Sequence, residues 1–190
     1  MTDQNFENNR FLDVVNEKDE IIDSKPRTDV HRLGLLHREV HVWMFDENKN
    51  IFFQKRGLPV SWSSTFDATI GGHVNKGEDY LTAAIRETKE ETSLILTPDD
   101  LILLKKFRDI AHLSKDEYLS ITNNFFRNIY IYRHAISEKE IKKEAILGVN
   151  FQKFAPDFLK NISKEDAKKF TKFILTKELP EVLKYMENIS

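Results

Sequence analysis

The stretch Gly71–Leu94, GGHVNKGEDYLTAAIRETKEETSL, decides how the rest of the chain is read. Behind its glycine pair comes Asp79, which can cap a helix over Tyr80–Thr92. On such a helix Leu81, Ala84, Ile85 and Thr88 form the less polar stripe. Glu87, Glu90 and Glu91 fall largely on another stripe, beside Arg86. Like charges at these offsets repel by only about 0.2–0.5 kcal/mol per pair on an exposed helix. A solvated face could therefore carry them, and the cluster needs a second argument before it means function.

Working outward, FDATIGGHV reads as a strand entering a glycine turn, and TPDD stops the helix. Upstream, FLDVVNEKDEIID reads as two short strands around a charged turn, Asn16 to Glu20. Residues 25–39 form a connection that carries His31, Arg32, His37 and Arg38. VHVWMF is a strand, with Val40, Val42 and Met44 on one face and His41, Trp43 and Phe45 on the other. DENKN is a turn, IFFQKR pairs back as a hairpin, and GLPVSWSST is a loop. Downstream, LILLKKF and RNIYIYR are strands by their β-branched and aromatic content. The connection from Arg108 to Phe126 is long enough for a functional lid or edge. ISEKEIKKE is a charged turn or short helix, and AILGVNFQKF includes another strand. The end is an amphipathic helix broken at Pro180.

The length, 190 residues, suggests a single domain over 1–190, with 1–10 a frayed polar tail and 160–190 a C-terminal helical segment. With 40% hydrophobic residues and 14 Phe the chain can fill a core. A formal charge of −2, with both signs mixed along the chain, gives no reason to expect nucleic acid as a partner. The absence of cysteine excludes disulfides, cysteine nucleophiles and cysteine metal sites, and it fits a cytoplasmic location. No apolar run has the length of a signal peptide or a membrane span, so no membrane partner is expected.

Glycine and helix can now be read together. Gly72, Glu78, Arg86-Glu87, Glu90-Glu91 and Leu94 stand at the spacing of the Nudix box, and the chain resembles the Nudix (MutT-like) pyrophosphohydrolases. Six exact matches arise by chance about once in ten million starts, given residue frequencies of several per cent. Two positions depart from the pattern: Thr88 replaces an apolar residue and Ser93 replaces a glycine. Serine at a helix end that calls for a left-handed residue carries a modest strain.

The resemblance implies an α/β fold, a Nudix α/β/α sandwich with a mixed β-sheet between helices. It implies hydrolysis of a diphosphate linkage in a small molecule, a nucleoside diphosphate derivative or a related compound. Carboxylates alone would repel such a substrate, so divalent cations, Mg²⁺ or Mn²⁺, must lie between them. By family analogy Glu87, Glu90 and Glu91 bind metal and the Gly72 carbonyl adds a ligand. Glu90, Glu87 and Arg86 form the catalytic set, one of the glutamates or a water held by it serves as base, and Glu78 is a structural partner. Arg86 orients the acids or is an ordinary surface ion pair.

The run 35–74 also looks like the branch that contains isopentenyl-diphosphate isomerase. In true isomerases histidines near His31, His37 and His73 bind a metal, a cysteine stands at the position of Gly71, and a Glu-any-Glu pair follows later. Here Gly71 replaces the cysteine, and TNNFFRNIY holds Asn123, Asn124 and Phe125 with no such pair. Isomerase-like activity and a nucleotide-binding domain without turnover are the alternative readings. His37 contacts phosphate or hydrogen-bonds within the sheet, His73 is a vestige beside the metal turn, and His31 lies on the surface. Of Lys55 and Arg56, strand alternation sends one toward phosphate, and Arg56 is the candidate. Trp43, Phe52, Phe125, Phe126 and Tyr130 could stack on a base or pack the core, with Phe125 the candidate substrate contact. The connection 108–126, holding Asp116 and Glu117, and the edge near Glu138–Glu144, with Glu140 an extra acid, are read as choosing the substrate. The N-terminal strands could pair two subunits into a homodimer.

Overall fold

Short-range signals set most element boundaries. The computed structural model describes residues 10–55, 65–114, 120–141 and 150–189. The expected N-terminal tail, Arg56, the loop 57–64, Asp116, Glu117 and Glu144 lie outside the described residues. The strands form three sheets of two, four and three strands. The chain divides into two units. One comprises Met1–Val40, Gly72–Ala83 and Lys106–Asn128; the other comprises His41–Gly71, Ala84–Lys105 and Ile129–Ser190.

In the first unit β1 (Phe11–Val15) pairs antiparallel with β2 (Ile21–Pro26). Their turn closes because Asn16 Oδ1 accepts the amides of Lys18 at 2.9 Å and Glu20 at 3.1 Å. Asp19 takes φ 62° in that turn, and its carboxylate is held by Arg38, Lys106 and the Tyr80 hydroxyl. The connection 25–39 is not plain coil. It contains helix α1 (Arg27–Leu33), which stops at Gly34 with φ 63°. A side chain there would be strained and would meet Thr122 at 3.2 Å, so glycine is required on two counts. β1 also fixes the turn that leads into the box helix. Lys76 N donates to Phe11 O at 2.8 Å and Gly77 N to Asp13 Oδ2 at 2.8 Å. Leu12, Val14 and Val30 form one core cluster, and Val15, Leu36 and Phe126 a second.

The second unit holds the three-stranded sheet β5-β4-β9, of β4 (Ile51–Lys55), β5 (Phe66–Asp67) and β9 (Asn150–Phe154). Both pairings are antiparallel, with Gln54 opposite Asp67 and Phe151. The expected hairpin of VHVWMF with IFFQKR is a single bridge, Phe45 to Ile51, with Phe52 N donating to Met44 O at 2.9 Å; beyond it the Thr69 hydroxyl accepts Met44 N at 3.1 Å and donates to Phe52 O. Phe53, Phe66, Phe154 and Phe170 pack with ring centroids 5.0–5.5 Å apart. Such aromatic pairs add about 0.5–1.5 kcal/mol each beyond their area. The remaining helices are α3 (Glu138–Ile141), α4 (Pro156–Lys160), α5 (Lys164–Ala167) and α6 (Leu179–Asn188). Pro180 does not break the last one. It occupies the first turn, where a missing N–H costs nothing, and a π-turn, Ile174–Glu178, precedes it. Among the described residues no helix is long and apolar enough to cross a membrane.

The four-stranded sheet has the order β6-β3-β8-β7, with β3 Leu36–Trp43, β6 Ile70–His73, β7 Leu101–Ser114 and β8 Ser120–Tyr132. The expected loop 108–126 is thus mostly strand, and only 115–119 fall outside the described residues. The Phe, Ile and Thr of that span suit a pleated, half-buried surface, and the sheet uses them.

The box helix, α2 (Tyr80–Thr92), has the predicted bounds, and Asp79 Oδ1 caps it from Thr82 N at 2.7 Å. Its buried residues are Ala83, Ala84, Glu87, Thr88 and Thr92, while Leu81 and Ile85 of the expected stripe are half-buried. The threonine hydroxyls stay satisfied there by donating to the carbonyls one turn back, Thr88 to Ala84 at 2.8 Å and Thr92 to Thr88 at 2.6 Å. Ser93 ends the helix with φ 62°, the left-handed conformation in which a side chain is strained. Replacing Ser93 by glycine is expected to stabilise the fold by about 0.5–1 kcal/mol, partly offset by the freer unfolded chain. Thermal denaturation of Ser93→Gly against the parent checks this; a lower melting temperature would contradict it.

Candidate functional site

The box acids do not lie on a solvated face. Glu87 is only 7% exposed, Glu91 is half-buried, and the Glu90 side chain is 41% exposed. The helical turn grades the three carboxylates from interior to solvent. Arg86 Nη1 donates to Glu87 Oε1 at 2.7 Å and lies 3.3 Å from Glu90 Oε2, bridging two of the three. From β4, Gln54 Nε2 donates to Glu91 Oε2 at 2.8 Å. The acids are therefore held by neighbouring donors before any cation arrives. An all-oxygen donor set on one helix suits a hard cation such as Mg²⁺ or Mn²⁺. Glu78 is structural, since its Oε2 accepts Asn75 N at 2.9 Å and closes the turn ahead of the helix. Gly72 lies in β6 and is half-buried.

A second cluster is made of the three histidines that the isomerase-like resemblance marks as metal-binding. His31 from α1, His37 from β3 and His73 from β6 offer ring nitrogens that all lie within 4.8 Å of one another. His31 is not on the surface as expected: its Nε2 lies 3.0 Å from His73 Nε2. His37 is 0% exposed, and its Nδ1 donates to Leu35 O at 3.0 Å. That bond leaves the lone pair on Nε2, which is buried and has no hydrogen-bond partner among the described residues. An orphaned imidazole nitrogen between two other imidazoles is the chemistry of a metal ligand set, so the residues present fit a divalent cation. The only sequence signal was the resemblance itself, because the three histidines come from separate elements.

Glu39 organises this cluster. Arg127 Nε and Nη2 both donate to its Oε2, Nε at 3.1 Å, and Asn123 Nδ2 donates to its Oε1 at 2.9 Å. Burial raises the Glu39 pKa, but the Arg127 guanidinium, together with the other donors to the carboxylate, holds it well below its usual range. Burial lowers His31 to about 4. Burial and Arg27 likewise depress His73. Neutral imidazoles are the form that binds metal.

Other expected contacts are corrected by burial. His37 is sealed inside the sheet, which leaves the sheet-internal role and not phosphate contact. Phe125 is buried, with the Arg127 guanidinium over its ring at 4.2 Å, so it offers no stacking face to a substrate. Trp43, Phe52, Phe126 and Tyr130 are core residues too. Glu140 accepts from Ser137 N at 2.8 Å and Oγ at 2.6 Å, the work of a helix cap. Asn124 Nδ2 binds Gly34 O at 2.9 Å, tying β8 to the end of α1.

The NUDIX domain family matches residues 35–154. An uncharacterised Nudix hydrolase of Clostridium acetobutylicum, CA_C0446, is 30% identical over 145 residues, 73% of this chain and 68% of that protein. The chain spans only 19% and 55% of the length of two further curated relatives. An isopentenyl-diphosphate Delta-isomerase of Serratia proteamaculans is 34% identical over 82 residues, 43% of this chain and 46% of its own. Among solved structures, DR0079 from Deinococcus radiodurans is similar at a TM-score of 0.64 and 22% identity, covering 90% of this chain and 98% of that one. That likeness shows the shared α/β fold.

The depressed histidines make acid sensitivity predictable. The folded state binds fewer protons than the unfolded one, whose histidines titrate near 6.5. Their contribution is complete above about pH 6.5 and is lost as pH falls toward about 4. Without metal, the melting temperature is expected to drop over that window, and His31→Gln should flatten the drop. Calorimetry from pH 7.5 to 4.5 checks it; identical slopes would refute the assignment.

Proposed function

Because the chain belongs to the Nudix hydrolase family, we propose that it hydrolyses the diphosphate linkage of a nucleoside diphosphate derivative or a related small molecule. Glu87, Glu90, Glu91 and the Gly72 carbonyl are the proposed ligands of Mg²⁺ or Mn²⁺. When bound, such a cation neutralises diphosphate charge and lowers the pKa of water. Arg86 keeps Glu87 and Glu90 from repelling each other and aims both. Gln54 orients Glu91 through the hydrogen bond to its Oε2. Glu90, the most exposed of the three, stands where water and substrate arrive. Arg56, which follows β4, is the proposed phosphate contact.

The observation that carries this reading is the graded, pre-braced carboxylate set on α2 inside the matched region. A merely solvated acidic face would not bury Glu87 to 7% exposure or brace Glu91 from another element. A nucleotide-binding domain without turnover remains the alternative, and an intact acid set argues against it.

One observation favours a second metal. The orphaned His37 Nε2, with His31 and His73, would hold a cation in its own right. Alkene isomerisation does not follow from it. That chemistry needs an acid and a base on opposite sides of an unactivated double bond. Gly71 has no side chain, and Asn123 is committed to Glu39.

Phosphate release from a panel of diphosphates with Mg²⁺ and with Mn²⁺ tests the hydrolase reading. Glu90→Gln and Glu91→Gln are each expected to lower turnover at least about a hundredfold, since a ligand charge worth several kcal/mol is lost. Their metal-free melting temperatures should hold, because the amide keeps the shape and removes repulsion. Near-normal turnover of both variants at saturating Mg²⁺ would sink the assignment. Incubation with isopentenyl diphosphate is expected to yield no dimethylallyl diphosphate by chromatography, and its appearance at enzymatic rates would restore the isomerase reading.

A further inference from the structure

Glu178, the last residue of the π-turn, is 0% exposed, and its Oε2 is the focus of two side chains of β3. Trp43 Nε1 donates to it at 3.0 Å, and His41 Nδ1 lies at 3.0 Å. An indole nitrogen can only donate, so this oxygen is an acceptor. The simplest proton assignment gives His41 its hydrogen on Nδ1 as well. The Nε2 lone pair is then free, and Nε2 makes no hydrogen bond among the described residues.

The free edge of the ring faces Gly71. A Cβ on Gly71 would meet His41 Cδ2 at 2.8 Å and Nε2 at 2.9 Å, closer than a real Cβ approaches its neighbours. Gly71 has no left-handed φ to justify it, so the reason for glycine here is the room it gives to this imidazole. The ring is not sealed: the His41 side chain keeps 9% of its surface open. The buried carboxylate fixes the tautomer, and glycine at 71 keeps any side chain off the Nε2 edge.

We propose that His41 is the proton acceptor for the water that attacks the diphosphate, with Glu178 its positioning residue. The role rests on the hydrolase reading above and gives the base to His41 in place of a box glutamate or a water held by it. In the step, one O–H bond of water breaks and its proton passes to His41 Nε2. The water oxygen bonds to phosphorus, the bridging P–O bond breaks, and the proton leaves later with the departing phosphate. Glu178 stabilises the imidazolium formed in between, as a carboxylate behind a histidine does in other hydrolytic sites.

The wild-type chain with Mg²⁺ on its best diphosphate is compared with His41→Gln, Glu178→Gln and Gly71→Ala. His41→Gln is expected to lower kcat by about a hundredfold or more, the usual range for losing a general base, with KM within about threefold. Glu178→Gln should lower kcat in the same direction. Gly71→Ala keeps every partner and displaces only the ring, so its kcat should fall too; it decides the matter if His41→Gln does not fold. Long-range ¹H–¹⁵N spectra without substrate should place the His41 proton on Nδ1 at neutral pH. Folded His41→Gln or Gly71→Ala with kcat within about threefold of wild type would overturn the role, as would a proton on Nε2. Hydrolysis by the wild type with those results leaves the hydrolase reading standing. A wild type that hydrolyses no diphosphate removes both.

Discussion

A carboxylate taken out of water must be met by donors, or the fold bears an uncompensated charge worth several kcal/mol. Glu39, Glu87 and Glu178 are all buried, and each organises its surroundings by that requirement. Glu39 gathers Arg127 and Asn123, Glu87 takes Arg86, and Glu178 takes Trp43 with His41. In each case the demand for partners fixes side chains that would otherwise rotate. Reactive groups end up held in one orientation because a neighbouring acid cannot tolerate being unpaired.

The box helix shows how a family pattern absorbs two departures. Thr88 stands on the buried stripe where an apolar residue is usual, and its hydroxyl is satisfied within the helix by the Ala84 carbonyl. The substitution therefore adds no unsatisfied group to the interior. Ser93 keeps the left-handed helix end that glycine normally supplies, at the cost of local strain. Neither change touches the acids, which explains how the chain can depart from the pattern and keep its carboxylates in place.

The histidine cluster stands apart from the carboxylates of α2 in its donor chemistry. Three imidazoles from α1, β3 and β6 come together, and no cysteine stands beside them. Gly71 admits the His41 ring where a cysteine side chain would stand, and Asn123 supports Glu39 where an acid pair would be expected.

The sequence by itself determined the α/β class, the bounds and cap of α2, the charged turn after β1, and the carboxylate set with its arginine. Those are local properties: spacing along one helix, a capping residue and short-range turn chemistry need no distant partner. It misread 25–39 as connection, 108–126 as loop and His31 as surface. Only the tertiary structure decided those, because a strand exists by virtue of its neighbours, and burial depends on what packs from elsewhere. The same holds for the partners of the buried acids. Glu178 lies 137 positions from His41 and Arg127 lies 88 from Glu39, and no periodicity in a chain records a contact at such separations.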